Sequence, residues 1–154
     1  MKLKTSVLTF FLVLFCSTAL ASSLSNNTNG CPLPSDLSII KPLDNIPSSL
    51  AAYSGIWVGS TSTQMGVVIV FEKIEKTFGL TKIYTLVSWN NRYLNEGWSK
   101  QLAYYDPDSK SVWLDVATIP LPKFQIELNP PSGDSMDGKY SGTYRGNLHF
   151  SKKQ

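Results

Sequence analysis

Residues 53–75, YSGIWVGSTSTQMGVVIVFEKIE, hold two apolar runs joined by a short polar stretch. In the first run Gly55, Trp57 and Gly59 alternate with Ile56, Val58 and Ser60, and a two-residue rhythm puts these sets on opposite faces of an extended chain. The second run, residues 67–74, is rich in valine and isoleucine, whose branched Cβ atoms fit a pleated, half-buried surface. Together they predict a β-hairpin. A bulky indole between two glycines on one face of the opening strand suits the end of a sheet that closes over its own core.

The rhythm continues downstream. Residues 82–89 alternate Ile83, Thr85, Val87 and Trp89 with Lys82, Tyr84, Leu86 and Ser88, which predicts a third strand with both faces partly covered. Residues 90–97, NNRYLNEG, are rich in turn formers and are expected to be a loop. A fourth strand is expected at 98–105, followed by a turn at Asp106-Pro107-Asp108-Ser109. Fifth and sixth strands follow at 112–116 and 124–128, with Pro120 and Pro122 between them limiting the sheet edges. The turn sequence NPPSGD at 129–134 leads to a seventh strand at 136–140, and Leu148 with Phe150 marks the apolar face of an eighth. Eight short strands with short links and no long amphipathic helix predict an all-β domain over 53–154. Its expected architecture is an eight-stranded antiparallel up-and-down β-barrel, because closure removes the exposed edges that a strand-rich protein must otherwise protect.

Upstream, Lys2 and Lys4 precede an apolar run, and Ala19-Leu20-Ala21 offers small residues where a signal peptidase reads. Residues 1–21 therefore read as a Sec-type signal peptide cleaved near Ala21, which implies a secreted or periplasmic protein. Cys16 raises the alternative of a lipid anchor, but Phe15 stands where a small residue would be required. The apolar run is too short to span a bilayer, and no later stretch approaches that length. Residues 22–52 are expected to be a disordered or extended arm: a polar start with an Asn26-Asn27-Thr28 sequon, then Pro32, Pro34, Pro42 and Pro47, and a single helical turn leading into Gly55.

Cleavage would leave 12 basic residues against 11 acidic ones. That near balance argues against nucleic acid or an acidic membrane as the partner, since both need clustered Lys and Arg. Cys31 would be the sole remaining cysteine, so no internal disulfide is available, and its thiol is either tolerated in a loose N-terminal segment or joined to another chain.

The Gly55-Ile56-Trp57 stretch carries the Gly-x-Trp of the first strand of the calycin group. The chain resembles lipocalins and, in its length and short loops, avidin-like barrels; it is also similar to small lipocalin-like domains that accompany secreted bacterial hydrolases. In lipocalins that tryptophan closes one end of the barrel beneath an arginine near the last strand, so the resemblance implies closure by Trp57 and Arg145. The lipocalin Thr-Asp-Tyr motif is missing, Asp106-Pro107-Asp108 does not replace it, and the avidin-type ligand residues cannot be placed residue by residue.

Catalysis finds little support. The chain has one histidine, His149, which alternates with Leu148 and Phe150 and should face solvent. A nucleophile would need a base held by a third group. One mature cysteine and one histidine exclude the usual zinc sets, and neither a metal nor a cofactor is implied. Glu72 and Glu75, beside Lys73 and Lys76, read as a charged strand end, and Glu96 has no identifiable partner. Aromatic residues are the excess, with four tryptophans and seven tyrosines. Some can fill the core and others can ring a barrel mouth. Trp89, Asn91, Arg92, Tyr93 and Trp98 flank one loop and are the expected ligand-binding set, with Arg92 meeting an acidic headgroup. The expectation is a secreted, non-catalytic barrel that holds a small amphipathic ligand, a lipid, aromatic metabolite or sugar, at its mouth. The alternative is a secreted interaction or enzyme-inhibitor module that uses a loop or an outer face to hold a protein.

Overall fold

In a computed structural model, the structure describes residues 28–61, 65–91, 94–116 and 124–153, without the side chains of residues 91, 94 and 95. The expected signal peptide, the sequon asparagine, Arg92, Tyr93, Pro120 and Pro122 lie outside the described residues.

A short helix α1 (Ser48–Ala51) precedes β1 (Gly55–Thr61), β2 (Gly66–Thr77), β3 (Leu80–Asn91), β4 (Leu94–Tyr105), β5 (Val112–Val116), β6 (Phe124–Leu128), β7 (Ser135–Ser141) and β8 (Gly146–Lys153). The strands form a closed barrel in sequence order, every neighbouring pair antiparallel. Pairing of β1 with β8, from Ile56 opposite Lys153 to Thr61 opposite Leu148, seals the wall. Closure demands close backbone approach at Gly59, where a Cβ would collide with the His149 carbonyl and the Phe150 ring.

The alternation seen in the sequence becomes an inside and an outside. Trp57, Val67, Ile69, Phe71, Ile83, Val87, Leu114, Ile126, Leu128, Met136, Leu148 and Phe150 face in and form one buried cluster. A bulge between Phe71 and Lys73 resets the register, so Ile74 rejoins the inner cluster. One end of the barrel is plugged. The Trp57 indole Nε1 donates to the Tyr53 carbonyl at 2.6 Å, and the Tyr53 hydroxyl lies 2.9 Å from the Lys110 carbonyl and 3.1 Å from that of Leu128. Leu50 of α1 is buried beside them. Every polar end of these large rings therefore has an acceptor, which makes their burial affordable.

The cation on this plug is not the one the resemblance implied. Lys152 of β8 pairs with Trp57 across the seam, sets its Nζ 5.2 Å from the indole centre and donates to the Ala52 carbonyl at 3.2 Å. Arg145 is exposed and precedes β8 at the other end of the barrel. The antiparallel run of β8 is the reason: only its last residues reach the level of Trp57.

Residues 28–47 carry no helix or strand and cross the outer wall. Cys31, Leu33 and Leu37 pack on Ile56, Val58, Val68, Val70 and Leu86, the outward residues of β1–β3. The segment is fastened by Ser88 Oγ donating to the Pro32 carbonyl at 2.5 Å and by the Ile40 amide donating to the Glu72 carbonyl at 2.7 Å. Cys31 is consequently buried, 3% exposed, rather than loose as the sequence suggested. Burial pushes its thiol up to about 11 from the ordinary 9.0. Gly66 lies directly beneath, and a Cβ there would stand 2.9 Å from the Asn29 carbonyl oxygen and 3.2 Å from the Cys31 sulfur.

These contacts set measurable outcomes. Gly59→Ala should destabilise the protein by about 3 kcal/mol in a urea titration, because overpacked backbone cannot move aside without parting the seam. Lys152→Ala should cost about 1 kcal/mol through the lost contact with the Trp57 ring, whereas Arg145→Ala should change stability by less than roughly 0.5 kcal/mol. The raised thiol value means that the folded state holds a proton which the unfolded state releases first. That stabilisation is complete below pH 9.0 and is lost as pH rises to about 11, so Cys31→Ser should flatten the alkaline decline in stability. At pH 8 the Cys31 thiol of the folded protein should react slowly with a disulfide reagent, and Gly66→Ala, by lifting the arm, should accelerate it.

Candidate functional site

Of the five residues expected at the mouth, the structure describes the side chains of Trp89 and Trp98, and it separates these two. Pairing of Trp89 with Gly97 and of Ser88 with Trp98 places the two indoles on opposite faces of the wall. Trp89 packs against the inner cluster, while Trp98 is outside and 45% exposed. The expected loop over 90–97 is also mostly strand: β3 runs to Asn91, β4 starts at Leu94, and Asn91 pairs with Leu94 across a bulge. Cross-strand packing outweighs the turn preference of the asparagines, since the Trp89 ring covers Gly97 so closely that a Cβ there would lie 2.9 Å from Cζ2. Of the two described side chains of the expected ligand set, Trp89 is on the inner wall and Trp98 is not.

Inner-wall positions beyond Gly97 supply what the sequence reading missed. Ser99 and Gln101 of β4 face in, opposite Val87 and Thr85 of β3. Thr85 Oγ1 donates to the Gln101 carbonyl at 3.0 Å, but Ser99 Oγ and Gln101 Nε2 are buried and have no hydrogen-bond partner among the described residues. Leaving such a group unpaired costs about 1–3 kcal/mol, so two on one wall, two residues apart, call for a physical reason. β4 pairs with β5 only at Tyr104 opposite Trp113 and Tyr105 opposite Val112, so from Ala103 towards Ser99 the two strands run unpaired among the described residues. The described β4–β5 ladder thus ends at Tyr104, short of the unpartnered polar atoms. Strict alternation in 97–103, with Ser99 and Gln101 in phase with Trp89's partner Gly97, was the available signal; small polar residues in phase with a core read as gaps in the apolar pattern.

The two carboxylates of the β2 end, Glu72 and Glu75, are engaged by cations. Glu75 forms an ion pair with Lys73 and accepts from the Tyr84 hydroxyl at 2.9 Å. The bond from Lys73, then that from Tyr84, holds its carboxyl below the usual range, which suits a permanent anion and not a proton donor. Glu72 is 3.0 Å from Lys100, which also lies 3.9 Å from Asp36 of the arm. Glu96 is exposed. Among the described residues no group of three or more His, Cys, Asp or Glu is placed to hold a metal ion, and no helix is long and apolar enough to cross a membrane.

His149 has a partner that its sequence neighbours did not disclose. Its Nδ1 is 2.7 Å from Asp137 Oδ1 on β7, and Ser60 of β1 is its register partner on the other side. Ser60, His149 and Asp137 therefore stand in a row across the seam. This row lies on the outer wall, with the His149 and Asp137 side chains 75% and 67% exposed, so water shares every proton on it and no wall encloses a substrate there.

The fold and the inner wall define a small closed barrel with one plugged end and a polar notch in its lining. Comparison of the chain with family models, with curated proteins and with solved structures gave no match.

Proposed function

We propose that this chain is a secreted, non-catalytic binding barrel that takes one small amphipathic molecule into the half of its interior lined by Trp89, Ser99 and Gln101. The observation that carries the reading is the pair of buried, unpartnered polar atoms beside an inward indole, at the point where β4 and β5 part. A concave apolar lining with a few convergent polar groups is the usual form of a small-molecule site. The basic start and apolar run of residues 1–21 support the secreted part of the reading.

A second reading rests on the outer wall. Trp98, Leu102 and Tyr104 project outward from β4 and are 45%, 49% and 66% exposed, a stripe broken by Lys100 in its ion pair with Glu72. Such a stripe suits contact with a secreted protein.

Titration of tryptophan fluorescence with a panel of short-chain lipids, aromatic metabolites and sugars separates the two. A saturable change with at least one class, abolished in Trp89→Phe and retained in Trp98→Phe, is the expected result. No response to any class would transfer the function to the outer stripe.

A further inference from the structure

We propose that the ligand of the inner site is an uncharged carbonyl compound with an apolar tail, a ketone, ester or primary amide, bound with its carbonyl oxygen towards Gln101 and Ser99 and its tail along Trp89. The inference rests on the binding reading above and specifies the chemistry of the same site.

Both unpartnered groups can donate. Gln101 Nε2 is a donor only, and a serine hydroxyl donates as readily as it accepts. Two donors two residues apart on one strand face share one side of the sheet and match an oxygen with two lone pairs, which a carbonyl supplies. The third polar side chain on this stretch of wall, Thr85, already spends its proton on the Gln101 carbonyl, so it does not compete for the ligand oxygen.

Charge decides the rest. The inward residues around the pair are Val87, Ala103, Leu114 and Val116, all apolar and all buried. Among the described residues, Lys152 faces in at the plugged end, held by the Trp57 ring and the Ala52 carbonyl, and Lys76, in phase with Ile74, is exposed beyond the start of β1 at that same end. A carboxylate at Ser99 and Gln101 would thus be taken out of water with no countercharge among the described residues, which is far more costly than burying a hydrogen-bonded carbonyl. A hydrocarbon with no oxygen would leave both donors unpaired. The neutral carbonyl is the head group that meets both constraints.

The direction of binding follows as well. Trp89 lies farther than Ser99 from the plugged end, since its partner Gly97 precedes Ser99 on a strand that runs toward the plug. An oxygen at the pair therefore leaves the tail beside the indole, where an apolar chain gains contact area.

The test uses the full mature chain and four eight-carbon probes: 2-octanone, octanamide, octanoate and octane. Affinity is followed by tryptophan fluorescence, and the Gln101 side-chain amide is followed by NMR. The proposal expects 2-octanone and octanamide to bind roughly tenfold more tightly than octane or octanoate, and to move the Gln101 amide proton resonances. Gln101→Leu should remove that preference while raising the melting temperature of the free protein, which shows that the variant is folded. Octanoate binding as tightly as 2-octanone, or a preference unchanged in Gln101→Leu, would overturn the carbonyl assignment yet leave an occupied site, and so spare the binding reading. Silence from all four probes, with the wider panel also silent, would remove the binding reading itself and this inference with it.

Discussion

The structure depends on a polar satisfaction problem solved at one end of the barrel. Trp57 and Tyr53 are fully buried aromatics with polar edges, and each finds backbone carbonyls: Trp57 reaches Tyr53, and Tyr53 reaches Lys110 and Leu128. These bonds tie the residues before β1 to the approach to β5 and the end of β6, elements that share no strand ladder with β1. Because the ring edges are paired, the ring faces can be dry, and the inner cluster grows outward from them. Lys152 then brings the last strand over the same indole. A single side chain thus gathers the first strand, the helix before it and the last strand.

The outer wall is not uniform, and the difference explains the composition of β2. Where the arm covers it, outward residues are Val68, Val70 and Leu86, and residues 67–71 read as an unbroken apolar run, as strands buried on both faces do. Where no arm reaches, outward positions of β6 to β8 are Gln125, Glu127, Asp137, Lys139, Asn147 and His149. β4 is intermediate, with Trp98, Leu102 and Tyr104 exposed beyond the arm's edge. Apolar runs without alternation in this chain therefore mark the path of residues 28–40 across the sheet.

How much of this was legible in the sequence depends on the range of the interaction. Alternation is local, so the eight strands, their order and the closing role of Trp57 could be read from residues 53–153. Which end of a strand meets Trp57 is not local, and Arg145 was expected where Lys152 stands. The face on which an aromatic falls is set by phase within its own strand, and Trp98 lies one step out of phase with Gly97. The asparagines at 90 and 91 suggested a turn, but pairing across the hairpin carried the strands through them. Cys31 looked loose because nothing in its neighbours reveals an apolar outer wall for it to cover. Asp137 was invisible as the partner of His149, because the two meet only through strand register. Ser99 and Gln101 were legible only as faults in a pattern, and faults acquire meaning when the wall around them is known.

The seam between β1 and β8 also governs how such a molecule comes into being. Its partners, Ile56 with Lys153 at one end, are separated by nearly the whole domain, so the sheet gains seven of its eight junctions hairpin by hairpin while the eighth waits for the final strand. Folds dominated by distant pairings of this kind mature in roughly milliseconds to seconds. Until then one edge of β1 is unclaimed, with Trp57 unsheltered, and any chaperone or neighbouring nascent chain that recognises bare strand edges has its longest opportunity there.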